Sequence, residues 1–360
     1  MKVAIIGAGN AGCVTALHYH KYLDDAEIDI YHSPDQHPIE KVGLGTLPAI
    51  VDLVSSVFGS SWYDNSIDST FKTGILYEGW GNKHDKFFHS FQMHLMAMHF
   101  VPNKLSKAVL ESEHFNAIEK TIKEPEKEID ADVIFDCRGR HNRDKSNYDK
   151  LINPLDSVLL SKKYERDVDL IYTRCVATPN GWTFVIPNKD SVSYGYLYNS
   201  EITPREDAVD DFTSRFDLDY IIDSLKFENY MAKNMFVGEI TVLQGNMYGF
   251  IEPLEATSLG LYQSVCRQAW DCIFGIRSED YCNSKMRTIM KEAETFLLWL
   301  YRYGSKFDTP FWNYAKSLPF NPDFRFNDIC NDSYANYKTV NKDIYGQWHK
   351  YSFDVFKKYC

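Results

Sequence analysis

At 360 residues the chain exceeds the usual span of a single core, so one large α/β unit or two intimately packed halves is expected, with room to bury a large cofactor. A formal net charge of -11 without a basic stripe argues against a nucleic-acid partner. No apolar run reaches membrane-spanning length and the residues after Met1 do not resemble a signal peptide, so a cytosolic protein away from the membrane is expected.

Residues 2–6 are a short β-rich run, followed by Gly7-Ala8-Gly9-Asn10-Ala11-Gly12, a helix-compatible stretch from Cys13 to Tyr22 and a second strand from Ile28 to Tyr31. This is the βαβ setting that a Gly-x-Gly-x-x-Gly dinucleotide fingerprint requires, with pyrophosphate at the helix N-terminus. The acid expected about 20 residues beyond the last glycine is replaced by His32, and Asp35 follows Pro34 in the wrong register. Adenosine recognition is therefore expected to be weakened or rearranged.

Next comes Phe71-Lys72-Thr73-Gly74-Ile75-Leu76-Tyr77-Glu78-Gly79-Trp80. A lysine flanked by Phe71 and a small apolar stretch, if buried, gains a shifted pKa and can act as donor or nucleophile; a surface charge is the commoner fate of a lysine. His84, His89, His94 and His99 recur every five residues, but that step neither shares a helix face nor a strand face, so no metal site is expected. Lys123 to Glu128 reads as a solvated turn, and Ala131 to Gly139 as an apolar strand ending in a polar-glycine turn.

Gly181-Trp182-Thr183-Phe184-Val185-Ile186-Pro187 alternates as a strand, with Trp182 and Phe184 on strand faces. Gly249-Phe250-Ile251-Glu252-Pro253-Leu254-Glu255-Ala256-Thr257 is a polar, proline-anchored segment that packing alone seldom produces. Leu261 to Tyr303 is helical in pattern, with Trp270, Phe274, Met290, Phe296 and Trp299 toward buried faces. Eight scattered cysteines read as free thiols, while 24 Tyr, 23 Phe and 7 Trp suit a packed core and pockets for flat ligands. Without repeats or linkers, residues 1–360 read as one unit.

In this order the segments resemble the flavin-dependent halogenases of the tryptophan-halogenase family. Val42-Gly43-Leu44-Gly45-Thr46-Leu47-Pro48 is similar to the family's flavin-contacting Val-Gly-Glu-Ala-Thr, and Phe71 to Ile75 to its Phe-Lys-x-Gly-Ile. His99-Phe100 with Leu105, Asp132 to Gly139, Trp182 to Pro187, Glu252 to Ser258 and Asp308-Thr309-Pro310-Phe311-Trp312 extend the likeness over nearly the whole chain. The departures are Leu44-Gly45 for Glu-Ala, Ala256-Thr257-Ser258 for Ser-Thr-Gly, and His32 for the ribose-binding acid.

The resemblance implies an α/β fold: an FAD-binding Rossmann-like module of the glutathione-reductase/monooxygenase type with an intimately packed, largely helical substrate-covering part. Nucleotide-binding segments would be about 1–50, 100–150 and 235–265, and covering segments about 51–99, 150–234 and 266–360. It further implies FAD, used as FADH2, held by Gly7 to Gly12, His32, Gly43, Leu44, Gly45, Thr46 and Leu259. A halide ion would sit at Thr257 and Ser258, with Lys72 and Glu255 catalytic and Trp182, Phe184 and Pro253 partitioning flavin from substrate. The substrate would be a small electron-rich aromatic molecule, reduced flavin would come from a separate flavin reductase, and homo-oligomerisation is compatible with the family. The chain is shorter than the tryptophan-specific members, which implies a more open pocket. Its size and divergence would suit a viral, cyanophage-type member working in host cytoplasm. A flavin monooxygenase and a flavin-binding protein without catalysis are the competing readings.

Overall fold

A computed structural model describes residues 1–34, 42–59, 66–91, 95–164, 171–331 and 344–360, Asn142 in backbone only. Asp35 and His94 lie outside the described residues. The N-terminal strand, Lys2–Ile6, lies inside a six-stranded sheet between Glu27–His32 and Val133–Asp136, parallel to both. Asn116–Glu119 closes one edge and the antiparallel pair Phe236–Val237 and Thr241–Leu243 the other. A strand buried on both faces serves two cores: Val3 and Ile5 join the main one, and Ala4 and Ile6 a smaller one with Ile122, Ile129 and Ile134.

The helix Asn10–Tyr22 is buried continuously from Asn10 to Tyr19, because it is packed between that sheet and the helix Thr257–Ile273. A helix enclosed in this way needs no polar face over those turns, which is why its sequence carries little amphipathic contrast. The charged turn near Lys123 is more than solvated surface. Glu126 accepts hydrogen bonds from the amides of Glu239 and Ile240 and from the Thr241 hydroxyl, tying the turn to the sheet edge.

A second sheet has seven strands in the order Asp223–Lys226, Ser157–Lys163, Val192–Tyr198, Gly181–Pro187, Thr173–Thr178, Gly74–Glu78 and Lys86–Ser90. All its pairings are antiparallel except Thr173–Thr178 with Gly74–Glu78. The strand Gly181–Pro187 is buried throughout. In a separate three-stranded sheet, Ala97–Phe100 pairs with both Leu44–Gly45 and Thr70–Lys72, a register that sets Gly45 and Thr70 opposite His99.

The helices Thr257–Ile273 and Glu279–Tyr303 pack on each other, the second opened by a Ser278 cap with Glu279 and Asp280 in its first turn and closed at Gly304. A short hairpin, Ile344–Tyr345 with Trp348–His349, leads into the last helix, Lys350–Tyr359. All eight cysteines are free thiols. Among the described residues, no helix is long and apolar enough to cross a membrane and no cluster of His, Cys, Asp and Glu could hold a metal ion.

Candidate active site

The glycine loop builds a groove of about 420 Å³ at the carboxyl end of the first sheet, lined by Ala8, Gly9, Asn10, Ala11, His32, Arg138 and Tyr262 among others. A Cβ on Gly12 would meet the Gly7 carbonyl oxygen at 1.9 Å, so only glycine lets this helix start so close to the turn. At Gly9 a Cβ would face open space, and the helix has no side-chain cap there. Uncapped amides at an open helix N-terminus suit a pyrophosphate, so the residues present fit the phosphate part of FAD.

His32 ends the second strand and lines the same groove, at the place where an acid would take the ribose hydroxyls. Arg138, which sequence reasoning did not single out, also faces it, its guanidinium held by both Asp136 oxygens and the carbonyls of Ile122 and Lys123. Its signal was the Asp-x-x-Gly turn itself.

Gly43, Leu44, Gly45 and Thr46 are drawn toward the second sheet and Lys72. The amide of Gly43 donates to Ser193 Oγ at 2.9 Å, and Thr46 exchanges bonds with the backbone of Met98. Lys72, at the end of its strand, is wholly buried and donates from Nζ to the Thr46 carbonyl oxygen at 3.0 Å. Burial lowers its pKa to about 8, with the charge of Glu255 and then Cys175 pulling the other way. His99 lies beside it, paired with Thr173 Oγ1 at 2.9 Å and held well below the usual histidine range by burial and the Lys72 charge.

Glu255 and Ala256 both occupy the left-handed region, at φ 67° and φ 54°. Two successive non-glycine residues in that conformation cost on the order of 1–3 kcal/mol each, and such strain persists where the surroundings hold it. Three donors do so here. Tyr77 Oη and His89 Nδ1, the latter at 3.1 Å, meet Oε1, and Trp348 Nε1 meets Oε2 at 3.0 Å. Burial alone would raise the Glu255 pKa, but the charge and hydrogen bond of His89 and the bonds from Tyr77 and Trp348 outweigh it and hold the carboxyl below its ordinary range. Lys72 and Glu255 therefore share a field, while their hydrogen bonds go to different partners.

Thr257 opens a 17-residue helix whose preceding residue, Ala256, provides no side-chain cap. The Thr257 hydroxyl is buried without a hydrogen-bond partner, and its carbonyl accepts from Gln347 Nε2 at 3.2 Å. An orphaned donor at a positive helix end fits a small anion. Ser258 is half-buried beside it, Leu259 is buried one residue on, and Pro253 is half-buried at the head of the turn that carries Glu255.

Trp182 lies fully in the core, donating to Tyr301 Oη at 2.9 Å, and Tyr301 donates to Glu252 at 3.0 Å. Phe184 packs edge-on against Trp182 with centroids 6.4 Å apart. Tyr77, His89, Trp348 and Gln347 were not foreseen as site residues. Tyr77 could have been found by its place two residues past Ile75 on one strand face, whereas Trp348 and Gln347 reach the site from ninety or so residues beyond it. The histidines at 84, 89 and 99 disperse, against Tyr359, Glu255 and Thr173 respectively.

A profile described as tryptophan halogenase matches residues 2–114 and 100–356. The chain is similar to tryptophan 7-halogenase RebH of Lentzea aerocolonigenes, 24% identical over 208 residues, or 53% of this chain and 39% of that protein. It is also similar to tryptophan 7-halogenase KtzQ of Kutzneria sp. (strain 744), 27% identical over 157 residues, covering 41% of this chain and 29% of the relative. The matched part thus spans well under half the length of these relatives. The crystal structure of a tryptophan halogenase from Shewanella frigidimarina superposes with a TM-score of 0.80 at 18% identity, covering 99% of this chain and 88% of the other, a likeness of fold. With a family profile covering almost all of its length and the same architecture throughout, the chain belongs to the tryptophan halogenase family.

Proposed function

We propose that the protein is a flavin-dependent halogenase, working as one unit, that uses FADH2, O2 and a halide to halogenate a small electron-rich aromatic compound. Reduced FAD along the glycine groove would supply the two electrons and two protons by which O2, a halide and one further proton become hypohalous acid and water. The loop Gly7 to Gly12 and Arg138 would bind its nucleotide part, and the uncapped amides at Thr257 and Ser258 with the Thr257 hydroxyl would hold the halide. No separate nucleotide fingerprint follows in the sequence, so reduced flavin would come from a flavin reductase.

Lys72 is the observation that carries the reading. A wholly buried ammonium costs stability, and burial lowers its pKa to about 8. At pH 7 about a tenth of such an amine is free. The free amine attacks hypohalous acid, forming an N–X bond and releasing water. An aromatic carbon then attacks the halogen, the N–X electron pair returns to nitrogen, which takes up a proton to restore the amine, and the ring loses a proton. Glu255, kept anionic, steadies the positive charge on the ring and is the candidate acceptor of that proton. A neutral His99 beside Lys72 adds no competing positive charge. Trp182, Phe184 and Pro253 would separate the flavin from the substrate.

The test is turnover with a flavin reductase, O2, bromide and an indole or phenol, read by product mass. Brominated product supports halogenation, hydroxylated product supports a monooxygenase, and flavin binding without product supports a catalytically silent binder.

A further inference from the structure

Two buried glutamates stand three residues apart in this segment and are driven in opposite directions. Glu252 accepts from the Tyr301 hydroxyl and the Leu254 amide, and burial pushes its carboxyl up to about 8 despite both bonds. Glu255, buried to a similar degree, is held below its ordinary range. Beyond a tyrosine hydroxyl, Glu255 has what Glu252 lacks: an imidazole, with the Trp348 indole on its other oxygen.

That imidazole is held at both ends. His89 Nδ1 lies 3.1 Å from Glu255 Oε1, and Nε2 lies 3.0 Å from Ser352 Oγ. An ionised carboxylate can only accept, so Nδ1 carries the proton toward Glu255, and the Ser352 hydroxyl satisfies the far nitrogen. The ring is wedged by Phe356, edge-on at 5.4 Å, and by Tyr351, whose hydroxyl also bonds Ser90 at 2.9 Å. His89 and Ser90 come from one edge strand of the second sheet, and Ser352, Tyr351 and Phe356 from the C-terminal helix. Trp348, just before that helix, occupies the other Glu255 oxygen.

We propose that His89, backed by Ser352, is a positioning residue that fixes Glu255 as a carboxylate anion, so that the C-terminal helix completes the reaction centre. Its catalytic consequence rests on the halogenase reading above; its effect on Glu255 does not. The other ionisable groups coupled to this centre are Lys72, Tyr77 and Cys175, with Cys360 beyond Tyr77. Tyr77 and Cys175 are buried and pushed to stay neutral, whereas the His89 contact favours an anionic Glu255 and the Glu255 charge in turn favours the Lys72 ammonium.

The experiment is a pH titration of FAD-loaded protein labelled with ¹³C-glutamate. Glu255 is read by infrared difference against Glu255→Gln, in wild type, His89→Leu, His89→Gln and Ser352→Ala. Wild-type Glu255 should remain a carboxylate to below the ordinary 4.5, and His89→Leu should raise its midpoint by about two units as burial takes over. His89→Gln restores a donor and should recover roughly half that shift, and Ser352→Ala should move the midpoint up by about half a unit. In turnover, His89→Leu should lower kcat relative to wild type at about pH 5 on the order of tenfold, recover toward pH 9 and leave flavin affinity unchanged. A wild-type midpoint in folded His89→Leu overturns the proposal. If that variant does not fold, Ser352→Ala decides by the same band: an upward shift supports the proposal and no shift overturns it. Wild-type protein that shows the Glu255 shift but no halogenation would sink the halogenase reading alone, and bromination without the shift would sink only the role of His89.

Discussion

A Cβ built on Gly45 would stand 3.0 Å from the ammonium of Lys72, so the absence of a side chain at 45 is what lets Lys72 reach the Thr46 carbonyl. The family pattern has alanine there, and this chain has opened the position. Gly45→Ala should displace the flexible end of Lys72 at a cost of under about 1 kcal/mol in stability. Turnover should fall on the order of tenfold, since a misplaced reacting group costs rate steeply. Steady-state kinetics beside chemical denaturation checks both, and unchanged turnover would remove the close fit from the mechanism.

Lys72 separates two ways of handling the oxidant. If a free amine is needed, log kcat rises with pH and levels off near 8, where its pKa lies. Lys72→Arg keeps a donor but cannot lose its proton. It should abolish halogenation if an N–X bond forms and retain part of it if hydrogen bonding suffices. The stability sign follows from linkage. The folded pKa lies below the unfolded 10.5, so the unfolded chain binds more protons between about 8 and 10.5, and this group's contribution is present above 10.5 and lost as pH falls through 8. Lys72→Met should therefore stabilise the fold at pH 7, by up to about 3 kcal/mol, as seen in urea midpoints.

Glu252 behaves oppositely. Its folded pKa is raised to about 8 from 4.5, so its contribution is present below 4.5 and lost as pH rises through 8. Glu252→Gln, an analogue of the neutral acid, should flatten the fall in stability between those limits. A series of urea unfolding curves from pH 4 to 9 measures it, and parallel slopes for the two proteins would contradict a neutral Glu252.

Thr257→Val removes the unpartnered hydroxyl while keeping its shape. The bromide KM should rise roughly tenfold with little change in the substrate KM, because one charge-directed donor is lost. Stability should hold or rise, since a buried orphan is removed. An unchanged bromide KM would place the halide elsewhere.

What could be read from the sequence was local. The glycine fingerprint works because Gly7, Gly9 and Gly12 act within one turn, and the groove duly forms above them. Lys72 stood out because its apolar flanks belong to its own strand and the next. The partners of Glu255 were not legible: Tyr77, His89 and Trp348 lie 178, 166 and 93 residues away, and the left-handed backbone that aims the carboxylate follows from no residue preference. The seven-stranded sheet was likewise hidden, because Gly74–Glu78 joins Thr173–Thr178 across almost a hundred positions. A charge pattern at Lys123 to Glu128 reads as solvent-facing until the edge hairpin that binds Glu126 is known.

The most direct measurement is the mass of the product formed by wild type and Lys72→Ala in the presence of a flavin reductase, O2, bromide and an indole, with FAD affinity measured on both. Bromoindole from the wild type alone, at equal FAD affinity, is the expected result. Bromoindole formed equally by Lys72→Ala would contradict the central claim that the buried amine delivers the halogen.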